Sequence, residues 1–332
     1  MAARIVGLGH YHPGEKIDNS FFDSLDIGSD AGWVKDRTGI GKRHSVLKKE
    51  DIIALKTGAK SLKDLRAEDK VMSLAHMAEE SYKVLRQRIL GDFSSVDALI
   101  CGTSIPDFDI PANACAIAAR LNLSCPSFDV NSACSSFVVN LHVAKSLIEA
   151  GSHSEVAIFN PERYSIRINY EDRNSAILFG DGCSSALVTD KELPGLIIKD
   201  TLIQSDPSNY LKVKVPDGEC FSQQGHAVQK FAITKTIECS KKVLERNNLE
   251  PKDLSYFAGH QANLRMVESA ATKLGIPKER HLYNVDTFGN QGSAGAPSVL
   301  SIHWDKFKKG DLIMVSVVGS GLTWGSALLE MA

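Results

Sequence analysis

The chain has 332 residues, 43% of them apolar, which is enough to bury a large core and to fill two domains or one duplicated domain. Its formal net charge of −2 gives no global attraction to nucleic acid or to an anionic membrane surface. Seven scattered cysteines, with no Cys-x-x-Cys and no His-Glu-x-x-His, speak against a disulfide framework and against a structural or protease-type zinc site. They suit a reducing compartment. The N-terminal MAARIVGLGHYHPG lacks the apolar stretch of a secretory signal, and no run approaches the roughly 18 apolar residues that span a bilayer, so a cytoplasmic protein is expected.

Short apolar runs alternate with longer helical patterns, the signature of an α/β protein. In chain order the patterns predict a strand at Arg4–Gly7, helices at Met72–Ile89 and Ala112–Leu121 around a strand at Ala98–Cys101, and a helix at Ser135–Ala150. Strands follow at Glu155–Phe159 and Ser185–Val188. The second part of the chain offers helices at Val228–Asn247, Leu264–Leu274 and Ala296–Trp304, with strands at Leu254–Ala258 and Leu312–Val317. The pattern breaks near Thr189–Gly195, and Asp206–Gly225 is polar enough to read as an excursion over the surface. Gly7-Leu-Gly9 resembles the start of a dinucleotide fingerprint, but position 12 is His, and a tight turn is the better expectation.

The segment FDVNSACSSFVVNLHVAKSLIEAG (128–151) carries the first candidate for chemistry. Phe128 and Val130 end an apolar strand, and Phe137, Leu141, Ala144 and Ile148 recur at helical spacing before Gly151 stops the helix. Cys134 therefore falls in or just before the first helical turn. Free amide N–H groups and the positive end of the helix dipole favour a thiolate there, so a lowered thiol pKa is expected. His260 follows the strand ending at Ala258, Asn263 can cap the helix after it, and Asn290 lies in a run of Gly, Ser and Ala that admits close backbone approach. A strand-end cysteine, a strand-end histidine and a loop asparagine can meet at one end of a parallel-rich sheet. There the thiol would be the nucleophile, and the imidazole and amide would donate to a developing oxyanion. The Gly-rich run GSGLTWGSALL (319–329), read as a loop, could add a backbone N–H.

The segments DAGWVKDRTGIGKRH, PSFDVNSACSSF, EDRNSAILFGDGCSSALV, GHQANLR, FGNQGSAGAPS and GSGLTWGSALL together resemble the β-ketoacyl-acyl-carrier-protein synthase III family of the thiolase superfamily. They run in family order from residue 4 almost to the end. The resemblance implies two similar βαβαβαββ halves, 1–189 with the nucleophilic Cys and 190–332 with the His and Asn, stacked as a five-layer αβαβα sandwich. It implies that Cys134 accepts an acyl group from acyl-CoA, and that His260 and Asn290 then hold the thioester oxygen of malonyl-acyl-carrier protein while CO₂ leaves and the enolate attacks. Cys134 and Gly321 would supply the oxyanion N–H groups. Trp33 and Arg173 match positions that sandwich the CoA adenine, and Arg265, Lys230 and Lys273 match positions that dock the acidic carrier. A homodimer is implied, with neither metal nor redox cofactor, because CO₂ loss drives the reaction.

This chain departs from the family at several points. Ile110 stands where an aromatic gate reaches across the dimer, Ser135-Ser136 replaces a small residue plus glycine, and Gln291-Gly292 replaces Thr-Ser. These changes put acetyl specificity in doubt. Arg163 and Arg167, in the unusual NPERYSIRINYEDR, are expected to be solvated rather than to face the acyl pocket. Rival readings are a paralogous condensing enzyme of a secondary-metabolite or biotin-precursor pathway, an acyltransferase using the same cysteine, and a non-catalytic partner subunit. Intact Cys134, His260 and Asn290 argue against the last.

Overall fold

A computed structural model describes residues 2–90 and 93–332. The first half contributes β1 (Arg4–Tyr11), α1 (Leu74–Arg86), β2 (Ala98–Cys101), α2 (Asn113–Arg120), β3 (Ser127–Asp129), α3 (Ser136–Glu149), β4 (Glu155–Glu162) and β5 (Gly182–Thr189). The second contributes β6 (Leu196–Ser205), α4 (Gly225–Arg246), β7 (Tyr256–Gly259), α5 (Leu264–Leu274), β8 (His281–Leu282), α6 (Gly295–Ile302), β9 (Leu312–Gly319) and β10 (Thr323–Met331). Both orders read βαβαβαββ. In space the first half runs β1-β5-β4-β2-β3 and the second β6-β10-β9-β7-β8, so each strand has a counterpart at the same place in the other half. The second strand of each half is parallel to the third and fourth, and the last is antiparallel to the fourth. A short antiparallel pairing of Arg4 with Ile197 and Ile5 with Leu196 joins the half-sheets edge to edge.

Helices α1 and α2 cover the outer face of the first half-sheet, and α4 and α5 that of the second. Helices α3 and α6 lie between, each touching strands of both halves, which completes five layers. The position of α3 explains its sequence. Phe137, Leu141, Ala144 and Ile148 are all buried, and Val138 beside them is buried as well, because a central helix is covered on more than one side. At roughly 1.5–3 kcal/mol for each large apolar side chain removed from water, this shared core holds the two halves together. Asn263 caps α5 as expected, its Oδ1 accepting from the Met266 N–H at 2.9 Å, and Gly275 ends the helix at φ 77°.

Three local expectations fail. Gly7 and Gly9 lie inside β1 and form no turn; a Cβ on Gly9 would sit 2.2 Å from the Ser81 carbonyl oxygen, so the glycine lets α1 press onto the strand. Most of 319–329 is strand β10; Gly319 still ends β9, and Ser320–Leu322 forms the connection. The 206–225 excursion is not wholly superficial, for Phe221 turns inward and is buried against Phe179. Among the described residues no helix is long and apolar enough to cross a membrane.

Candidate active site

The residues that follow β2, β3, β4, β7, β8 and β9 gather where the strand ends of the two halves face each other, the usual location of a site in an α/β sheet. Cys134 lies in a 3-10 turn, Ala133–Ser135, between β3 and α3. The turn is built by side chains. Asn131 Oδ1 accepts from the Ala133 N–H at 2.8 Å, Ser135 Oγ–H donates to Ser132 O at 2.6 Å, and Ser136 Oγ–H donates to Ala133 O at 2.7 Å while accepting from Ser132 N–H. The Ser135-Ser136 departure is thus part of the turn itself. Ala133 is held at φ 46°, in the left-handed region.

The Cys134 thiol is half-buried, and its Sγ lies 3.7 Å from the Tyr164 hydroxyl. Burial, together with the Glu162 carboxylate, pushes the thiol up to about 12. This corrects the expected lowering, because desolvation of the charged form outweighs what the helix end supplies. The thiol therefore keeps its proton at neutral pH until something takes it.

His260 directly follows β7. Burial alone holds its pKa down to about 4, so the imidazole is neutral, and its Nδ1 is buried with no partner among the described residues. The next residue, Gln261, is fully buried and ties this loop to the one ahead of Asn290. Its Nε2–H donates to Gly259 O at 2.7 Å, and its Oε1 accepts from the N–H groups of Asn284 and Val285 at 3.0 and 3.2 Å. Asn290 is buried and bridged to Phe179, donating its N–H to Leu178 O at 2.9 Å and accepting from Gly180 N–H at 3.0 Å. Its Oδ1 accepts from Gly292 N–H at 3.0 Å, which commits the oxygen and leaves the NH₂ end as the donor. Gln291 is absorbed by the scaffold, its Nε2–H donating to His12 Nδ1 at 2.6 Å and to Asp181 O at 3.2 Å.

The turn at Cys134 adjoins both the 292–294 turn after Asn290 and the Ser320–Leu322 connection that holds Gly321. Gln261, next to His260, packs beneath Gly295, where an added Cβ would lie 2.9 Å from the Gln261 Cβ. Cys134, His260, Asn290 and Gly321 are thereby brought to one region through packed turns.

The binding candidates lie on a rim. The Arg173 guanidinium sits 4.9 Å from the Trp33 ring centroid and donates to Gly28 O at 2.6 Å. Trp33 belongs to the short helix Ala31–Thr38, whose terminal Gly39 lies so close to Leu264 that a Cβ would approach it to 2.5 Å. Arg265, exposed on α5, donates to Asp36 O of the same short helix at 3.2 Å and reaches Glu268 at 3.4 Å. Lys230 on α4 and Lys273 on α5 are exposed. Ile110 is 87% exposed, with Phe108 half-exposed beside it. Arg163 is not solvated. It is 1% exposed, paired with Asp107 at 2.5 Å and donating to Met72 O at 2.7 Å, so the expectation fails because its partners come from distant loops. Arg167 is half-buried and donates to Pro216 O at 2.6 Å.

The chain matches the family description 3-oxoacyl-[acyl-carrier-protein (ACP)] synthase III over residues 128–207, and that family's C-terminal part over residues 244–331. It is 33% identical to the β-ketoacyl-[acyl-carrier-protein] synthase III of Aliarcobacter butzleri over 349 aligned positions, covering 99% of this chain and 98% of the relative. The chain belongs to the β-ketoacyl-acyl-carrier-protein synthase III family. The synthase III of Aquifex aeolicus is 30% identical over 99% of this chain and 100% of the relative. A crystal structure of the Aquifex aeolicus synthase III superimposes with a TM-score of 0.87, at 29% identity and 99% coverage of both chains.

Within this synthase III scaffold, sequence reasoning missed Glu162, Tyr164, Ser104 and Ser293. Glu162 ends β4, is fully buried, and receives four bonds: from the Ser104 N–H and Oγ–H at 3.0 Å each, from the Ser293 N–H at 3.0 Å and from its Oγ–H at 2.7 Å. Burial pushes its pKa up to about 7 in spite of those donors. The available signal was a second carboxylate closing a strand, EVAIFNPE, whose every residue is buried.

Proposed function

We propose that this synthase III forms a carbon–carbon bond by decarboxylative Claisen condensation of an acyl-CoA primer with malonyl-acyl-carrier protein, opening fatty acid synthesis. The observation that carries the reading is the packing of the Cys134 turn against the turn that follows Asn290, with a neutral imidazole on the adjoining loop. In the first half-reaction Cys134 Sγ attacks the acyl carbonyl, CoA leaves, and a thioester remains on the protein. Backbone N–H groups of Cys134 and Gly321 receive the oxyanion; Gly321 adopts φ 121°, a conformation suited to glycine.

In the second half-reaction the malonyl thioester oxygen sits between the His260 ring and the Asn290 NH₂. A neutral imidazole suits this work, since it donates one hydrogen bond without adding a full charge to the buried site. The enolate released with CO₂ attacks the acyl-Cys134 carbonyl. Loss of CO₂ supplies the driving force, so the chemistry calls for neither metal nor redox cofactor.

Trp33 and Arg173 receive the CoA adenine by stacking, and Arg265, Lys230 and Lys273 meet the acidic carrier. The enzyme works in the cytoplasm as a homodimer, with the exposed Ile110 and Phe108 turned toward the partner's acyl pocket. A panel of acyl-CoAs incubated with the protein should add an acyl mass detectable by intact-protein mass spectrometry, and malonyl-carrier protein should then release a β-ketoacyl product. A protein that takes no acyl group from any of the panel would overturn the reading.

A further inference from the structure

Asn290 belongs to the second half of the molecule, yet the side chain that holds its turn belongs to the first. We propose that Glu162 is a positioning residue that aims the Asn290 NH₂ at the malonyl thioester oxygen, acting through the Gly292–Ala294 turn. The assignment rests on the condensation reading above and specifies what orients one of its two oxyanion donors.

An asparagine donates only while its NH₂ end faces the substrate, and its two ends are nearly the same shape. Here the Gly292 N–H, donating to Asn290 Oδ1 at 3.0 Å, decides between them. It does so only while the turn keeps its form, which depends on where the N–H groups of the turn go. Gly292 N–H goes to Asn290 Oδ1, Ala294 N–H to Gln291 O at 3.0 Å, and Ser293 N–H to Glu162 Oε1 at 3.0 Å. The first two acceptors lie in the turn's own segment. Glu162 is the one from outside it, at the end of β4.

The carboxylate is fixed from both halves. Its Oε1 takes the Ser293 N–H, the Ser293 Oγ–H at 2.7 Å and the Ser104 Oγ–H at 3.0 Å, and its Oε2 takes the Ser104 N–H at 3.0 Å. Glu162 thus staples the loop after β2 and the end of β4 to the turn after Asn290. It sits directly against that turn, since a Cβ on Gly292 would lie 2.7 Å from Oε1.

The Asn290 backbone has its own anchors in Leu178 and Gly180, so loss of Glu162 leaves the residue in place and frees its amide. The Ser293 hydroxyl then turns to Gly102 O, 3.3 Å away, but the Ser293 N–H becomes a buried donor without an acceptor. As the turn shifts to satisfy it, Gly292 N–H leaves Asn290 Oδ1. The amide can then present its oxygen, which repels the enolate that the NH₂ would hold. None of the four donors on Glu162 carries a charge, and Oε1 alone serves both bonds to Ser293, so a glutamine oxygen can stand in for it.

Decarboxylation of malonyl-carrier protein and single-turnover acylation of Cys134, measured separately, test the assignment, with thermal melting as the check on folding. Glu162→Met removes every acceptor at similar size. Its decarboxylation should fall roughly 10–100-fold while acylation stays within about threefold of wild type. Glu162→Gln should recover most of that loss. Ser293→Ala keeps the N–H bond and should lose only about 3–10-fold, again in decarboxylation alone.

An Asn290→Ala background isolates the path. If Glu162 acts through Asn290, Glu162→Met or Ser293→Ala should slow decarboxylation there by no more than about twofold. Undiminished losses in that background, equal losses in both half-reactions, or Glu162→Gln as slow as Glu162→Met overturns the proposal. Should Glu162→Met not fold, Ser293→Ala carries the comparison. A wild-type protein that decarboxylates no malonyl-carrier protein ends the functional reading instead. Crystal structures then judge the positioning: the bond from Gly292 N–H to Asn290 Oδ1 should survive in Glu162→Gln, lengthen in Ser293→Ala and break in Glu162→Met. An unchanged bond in all three overturns it.

Discussion

The two halves of the molecule build the same turn at the same place and use it for different purposes. In the first half the third strand leads through Ala133 at φ 46° into a 3-10 turn and then α3; in the second it leads through Gly292 at φ 53° into a 3-10 turn and then α6. The residue after the left-handed position is Cys134 in one half and Ser293 in the other. Both side chains are delivered to the junction between the halves. Ser293 spends its hydroxyl on Glu162, while the Cys134 Sγ lies 3.7 Å from the Tyr164 hydroxyl. A duplicated fold thus supplies two equivalent mounts, and in the proposed reaction the chemistry of the mounted atom makes the thiol the nucleophile and the hydroxyl its support.

The comparison breaks first at the mounted atoms. Cys134→Ala should abolish the acyl adduct and lower turnover by roughly 10⁴-fold or more, since the proposed reaction runs through an acyl-Cys134 thioester. An unchanged adduct on the mutant would relocate the nucleophile and end the contrast between the two turns. The next largest effect lies on the second half's own contribution. Asn290→Ala should still take up the acyl group yet lose malonyl decarboxylation by about 10²–10³, the usual loss when one oxyanion donor is removed. Near-normal condensation by that variant would mean that the second turn serves structure alone.

How much of this was legible in the sequence depends on range. The helices and most of the strands announce themselves by period, and Cys134, His260 and Asn290 are singled out as candidates by where strands end and small residues collect. Glu162 could not be placed, because its bonds come from Ser104, 58 residues earlier, and Ser293, 131 residues later. Arg163 was misread for the same reason, since its partner Asp107 is far from it in sequence. The raised thiol pKa escaped the sequence as well. A helix end is visible in a pattern of residues, but the burial that overrides it is a property of both halves together.

The left-handed positions offer the smaller and sharper pair of tests, because glycine should be the more stable residue at both but by different margins. At Gly292 a Cβ would lie 2.7 Å from both Glu162 Oε1 and Tyr164 Cε2, closer than real Cβ atoms come. Gly292→Ala must therefore displace a buried carboxylate and a stacked ring, and crowding plus left-handed strain should cost about 3 kcal/mol in denaturant unfolding. At Ala133 the methyl already fits and only the strain is present. Ala133→Gly relieves roughly 1–2 kcal/mol of it and returns about 0.4–1 through the freer unfolded chain, so a net gain of about 0.5–1 kcal/mol is expected. If Ala133→Gly instead destabilised the protein, the methyl would be contributing packing beside the nucleophile that Gly292 does not need. The two turns would then be alike in backbone only.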